Sequence, residues 1–190
     1  MTSPRPTEWK RPFTDRLLGA LRLDQSVFAE VARDPDAMGQ AAAVVALGAL
    51  AQGIGGVQAT STSELILGIA AMVLSGFFGW IVSTAVIWLV GVGLLGARAE
   101  YPDLLRTLGF TNAPKLLWLL GALPLGPALF AAIGLTIFVW TIAALVLGVR
   151  QALGVTTGRA VLVCVLGMIA GLVLALVMGA MIGLGAGLVR

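Results

Sequence analysis

Apolar residues fill the chain from Ala37 onward in long runs, whereas before Ala37 they alternate with charges. Phe13, Leu17, Leu18 and Leu21 recur at spacings of three and four, with Asp15, Arg16 and Arg22 between them. That period predicts an amphipathic helix with a leucine face, lying along the membrane surface or packed under a bundle. A second short helix follows, with Asp24 or Ser26 as N-cap and Val27, Phe28 and Val31 as its apolar face. Asp34-Pro35-Asp36 then marks a helix start: Asp34 can cap, Pro35 suits the first helical position, and Asp36 opposes the positive end of the helix dipole.

A membrane-crossing helix needs about 20 apolar residues to traverse a hydrocarbon core of about 30 Å. The chain offers spans at about 37–57, 65–96, 104–123, 128–149 and 159–188. The second is some ten residues longer than needed but lacks any residue that would make a hairpin, so it reads as one long, tilted helix. The third contains Arg106, Thr111, Asn112, Pro114 and Lys115, and a break is expected near Asn112-Ala113, because the residue before a proline is pushed out of the helical region. The predicted class is therefore all-α: a five-helix transmembrane domain over 37–190, amphipathic helices over 13–36, and a flexible, proline-rich tail over 1–12.

Composition supports this class. Of 190 residues 59% are hydrophobic and 11% charged, against about 45–50% and 25% in soluble domains. Charge then fixes the orientation. Arg98 and Arg106 flank the second loop, Arg150 and Arg159 the fourth, and the first and third loops carry no Lys or Arg. Basic residues favour the cytoplasmic side, so the N-terminus is expected inside, and deleting the third span would put Arg150 and Arg159 outside. The first 36 residues balance six basic against six acidic side chains. No basic block tracks a phosphate backbone, so no nucleic-acid partner is expected.

The absence of histidine excludes His-based acid–base chemistry and H-E-x-x-H zinc sites, and the lone Cys164 supports neither a disulfide nor a thiolate cluster. No catalytic residue, metal site or cofactor is expected. Gly91-Val92-Gly93-Leu94-Leu95-Gly96 matches the dinucleotide string, but that motif works between a strand and a helix, and here it ends a membrane helix.

Two rows of small residues are more informative: Gly167, Gly171, Ala175, Gly179, Gly183 and Gly187 in the last span, and Ala71, Ser75, Gly79 and Ser83 in the second. Such rows let helix backbones approach, either within the bundle, the preferred reading, or between copies of the chain. The third span supplies the candidate polar site: Asp103, Arg106, Asn112 and Lys115. An intramembrane Lys115 beside a broken helix suits an anionic headgroup or a substrate; the alternative has Lys115 snorkelling to the interface while Arg106 pairs with Asp103.

The runs VFAEVARDPDAMGQA at 27–41, EYPDLLRTLGFTNAPKLL at 100–117 and VWTIAALVLGVRQALGVTTGRAVLV at 139–163 resemble the Yip domain family of Ypt/Rab-interacting polytopic membrane proteins. Phe28 and Pro35 match its element before the first span, and Gly109, Phe110 and Pro114 its Gly-aromatic-x-x-x-Pro element. The resemblance covers roughly residues 24–188. It implies five spans, a cytoplasmic N-terminus, and roles in trafficking, membrane shaping and partner recruitment. The Ala- and Gly-rich composition suits a bacterial member in the inner membrane. The expected function is a non-enzymatic scaffold or accessory subunit in contact with membrane lipids and with other membrane proteins or itself; the alternative is a small transporter or lipid-handling protein using the broken third span.

Overall fold

The computed structural model describes residues 10–56 and 61–188, except for the side chains of Ala175 and residues 177–188. The expected flexible tail falls mostly on residues 1–9, outside the described residues. Lys10, just inside them, is tied down by Asp34 at 2.8 Å and Asp36 at 2.6 Å. Every regular element among the described residues is helical.

Helix α1, Phe13–Leu21, forms as its periodicity predicts, with Phe13, Leu17 and Leu21 partly buried against the core. Arg16, Gly19 and Ala20 are buried, while Leu18 is 48% exposed. Helix α2, Gln25–Arg33, behaves as expected: Asp24 caps it through the Ser26 amide, and Val27, Phe28, Val31 and Ala32 are buried. Gly19 lets the two pack, since any Cβ there would overlap the Val27 side chain.

Asp34 caps the next start by accepting from the Asp36 amide, and a 3-10 turn, Pro35–Ala37, leads into α3, Met38–Gly56. Helix α4, Thr62–Trp88, continues through a π turn, Leu89–Leu94, and closes at Gly96, whose φ of 65° suits glycine. The dinucleotide-like string lies in this π turn and its end. Helix α6 is Pro127–Leu153 and α7 is Thr157–Leu188. The fourth span was expected to end by Val149, but α6 runs through Arg150, a cation in the last turn that suits the helix dipole, to a left-handed Gly154.

Among the described residues, four helical stretches are long and apolar enough to cross a membrane: Pro35–Gly56, Thr62–Leu94, Pro127–Leu153 and Thr157–Leu174. The expected third span is not a fifth such helix. It divides into α5, Tyr101–Phe110, and a 3-10 helix, Ala113–Ala122. Pro114 has no N–H to return to Phe110 and its ring collides with that carbonyl. The Asn112 amide instead donates to the carbonyls of Leu108 (2.9 Å) and Gly109 (3.3 Å), satisfying groups that the ending helix frees.

The neighbours of the glycines give the directions. Gly53 meets Ile69 and Gly76 meets Ala49, so α4 runs antiparallel to α3. Gly109 meets Ala41, Gly48 meets Asn112 and Lys115, and Gly55 meets Trp118 and Gly121, so the broken segment runs parallel to α3 for nearly its whole length. Gly134 meets Trp118 and Gly148 meets Thr111, so α6 is antiparallel to the broken segment.

Candidate functional site

The broken segment lies at the centre of the molecule, and the sequence positions it in two ways. Ala41, Gly48 and Gly55, seven apart, present one stripe of α3 to it, the repeat of a shallow left-handed crossing. Its entry is held by tryptophans of α4: Trp88 Nε1 donates to the Ala99 carbonyl at 3.0 Å and Trp80 Nε1 to that of Leu105 at 2.9 Å. Read from the sequence, these rings fill core space; their hydrogen bonds to the third segment carry no sequence signal.

The four candidate polar residues separate into two pairs. Arg106 donates to Asp103 (2.5 Å) and to the Ala32 carbonyl (2.9 Å), a cation at the C-terminal end of α2. Asn112 and Lys115 instead face a cavity of about 210 Å³ between α4, α6 and the break, whose walls include Ser75, Gly79, Ser83 and Thr141. A second cavity of about 170 Å³ adjoins it at Lys115 and Thr141. The wall hydroxyls of Ser75, Ser83 and Thr141 donate back to carbonyls of their own helices. Among the described residues no carboxylate pairs with the Lys115 ammonium. At about 30 Å³ per water the larger cavity holds several waters or one small polar group.

A denser charge cluster sits at the N-terminal end of α3. The fully buried Arg16 guanidinium reaches Asp34 at 2.7 Å, Glu30 at 2.8 Å and the Gln40 side-chain oxygen at 3.0 Å. Burial alone would push the Asp34 carboxyl up, but hydrogen bonds from Lys10 and Arg16 outweigh it and hold the group below its ordinary value. A carboxylate with a depressed folded-state pKa stabilises fully above its unfolded pKa, about 3.9, and loses that contribution as pH falls through the lower folded value. Melting temperature in detergent is thus expected to drop below about pH 4, and Asp34→Asn should remove this component of the drop.

The small-residue rows are placed differently from one another. Ala71, Ser75, Gly79 and Ser83 are all exposed on α4, and a Cβ at Gly79 would meet nothing within 4 Å. Gly167 packs on Ile87, and Gly171 has no neighbour within 4 Å of a built Cβ. Ala175, Gly179, Gly183 and Gly187 lie outside the described side chains. The tightest backbone approach uses glycines of neither row: a Cβ at Gly55 would overlap the Trp118 carbonyl oxygen, and one at Gly121 that of Gly55. The seven-residue spacing on α3 was the available signal.

Comparison with curated proteins and with solved structures gives no match. A family model described as Yip1 domain matches residues 19–179, which takes in α2 through α6, the break at Pro114 and most of α7. With its four apolar helices, the chain is a multi-pass membrane protein and belongs to the Yip1 domain family.

Proposed function

We infer that this chain is a non-enzymatic membrane scaffold or partner-binding protein, an accessory subunit of a larger assembly, with five crossings and its N-terminus in the cytoplasm. The five-crossing reading is supported by the direction of the broken segment, which follows α3 from Ala41 to Gly55, about 21 Å at the α-helical rise. Orientation is supported by the cap: Arg150 contacts Gln25, and Leu153 meets Gly91, which gathers the arginine-bearing loops at the end occupied by α1 and α2.

The observation that carries the binding role is the open row on α4. Glycines elsewhere make the internal close contacts, while Ala71, Ser75, Gly79 and Ser83 are exposed along about 18 Å of helix at the mouth of the Lys115 cavity, whose wall the last three help to form, and leave room for a partner helix. Purification in mild detergent is expected to yield a discrete assembly, and Gly79→Leu should dissolve it without lowering the melting temperature. A monomer free of other proteins would overturn this reading.

The second reading, a small transporter or lipid-handling protein, is favoured by the cavity reaching Asn112 and Lys115. A cysteine placed at Thr141 should react with a small polar thiol reagent applied to membranes. Protection equal to that of the buried Cys164 would mean a closed, dry interior and would end this reading.

A further inference from the structure

Beside the Lys115 cavity runs an apolar groove of about 580 Å³ between α4 and α7, lined by Phe78, Val86, Gly167, Gly171 and Leu174 among others. The two spaces share walls, since Ser83 and Leu145 line both. An unpaired ammonium with hydroxyls around it therefore opens beside a hydrocarbon-lined channel, with no carboxylate among the described lining residues of either. Resting on the reading of the cavity as a binding site, we propose that cavity and groove together hold one anionic phospholipid, its phosphate on Lys115 and an acyl chain along the α4–α7 groove.

Charge selects the ligand. An ammonium held even half-buried inside a membrane bundle is costly unless an anion accompanies it, and none pairs with Lys115 among the described residues, so the counter-charge is assigned to the ligand. Shape selects a lipid over a free anion, because the apolar groove is larger than the polar cavity and would stand empty behind inorganic phosphate. Lys115 stands beside Gly48, near the middle of α3, so the phosphate would sit well below the membrane surface, with the Ser75, Ser83 and Thr141 hydroxyls as its polar surroundings.

The test is native mass spectrometry of the delipidated full chain, titrated with phosphatidylglycerol or with phosphatidylcholine of the same acyl chains. One phosphatidylglycerol should be retained per chain, about tenfold more tightly than phosphatidylcholine, a factor equal to roughly 1.4 kcal/mol. Lys115→Ala should abolish that preference, Lys115→Arg keep it, and Arg98→Ala, in an exposed loop, leave it unchanged. Gly171→Leu, at a position where an added Cβ meets nothing within 4 Å, should weaken both lipids by filling the groove. Equal retention of the two lipids, or an undiminished preference in Lys115→Ala, overturns the proposal. So does displacement by inorganic phosphate together with indifference to Gly171→Leu, the behaviour of a free-anion site. If the cysteine at Thr141 labels while phosphatidylglycerol shows no preference, the lipid assignment falls and the cavity reading stands; if that cysteine is protected, both fall.

Discussion

Arg16→Ala is expected to detach the N-terminal cap and to lower stability by about 3–5 kcal/mol, the usual cost of removing one partner from a buried ion pair. The guanidinium is 1% exposed and holds Asp34, equally buried, together with Glu30 and Gln40. Without it, Asp34 keeps the Asp36 amide and, as its one cation, Lys10, whose side chain is 37% exposed, and Glu30 loses its shortest contact. Apolar packing also holds the cap, since Phe13, Leu17 and Leu21 lie partly buried against the core, but it cannot satisfy the Asp34 and Glu30 carboxylates left without their cation. Arg16→Lys should recover a minor part of the loss, since one ammonium cannot reproduce the fork that meets two carboxylates and an amide oxygen. Hydrogen exchange over residues 13–33, read with melting temperature in detergent, checks this. Unchanged protection of α1 in Arg16→Ala would mean that packing alone holds the cap.

That network also shows what periodicity reveals and what it misses. The leucine face of α1 lies inward at Phe13, Leu17 and Leu21 and outward at Leu18, but the pattern gives no sign that Arg16 is buried in the same stripe. Its partners are 14 to 24 residues distant in sequence, and nothing local pairs Arg16 with Glu30, Asp34 and Gln40. The break in the third segment was legible because its cause is local: Pro114 cannot donate to Phe110, and Asn112 is a short side chain suited to the freed carbonyls. The replacement was not, since an α-helix restarted after the proline would bury a similar set of residues, and the 3-10 path depends on following α3. The cavity was foreshadowed by Lys115, a cation well inside the third span, but its α4 wall was assigned to helix packing. Small residues at every fourth position create a hollow, and whether a helix or a headgroup fills it depends on what stands opposite.

Gly55→Ala should be the most disruptive single-methyl change in the membrane part of the chain, costing at least the 1–3 kcal/mol typical of overpacking. The new Cβ would overlap the Trp118 carbonyl, a backbone atom that cannot turn aside, and Gly121 opposes Gly55 so closely that the two stretches can separate only as units. Separation would open the seam from Ala41 to Gly55 and with it the second Lys115 cavity, which Trp118 helps to line. Two further glycines of α3 calibrate the effect. A Cβ at Gly48 stands 3.2 Å from the Asn112 carbonyl oxygen and 3.3 Å from Lys115 Cβ, so Gly48→Ala needs a shift of a few tenths of an ångström. At Gly39 nothing lies within 4 Å, and Gly39→Ala should gain about 0.5–1 kcal/mol from the reduced freedom of the unfolded chain. Melting temperature should therefore fall in the order Gly39→Ala, Gly48→Ala, Gly55→Ala. Were Gly55→Ala as stable as Gly39→Ala, the broken segment could not be pressed against α3 as described, and its reading as a fifth crossing would lose its support.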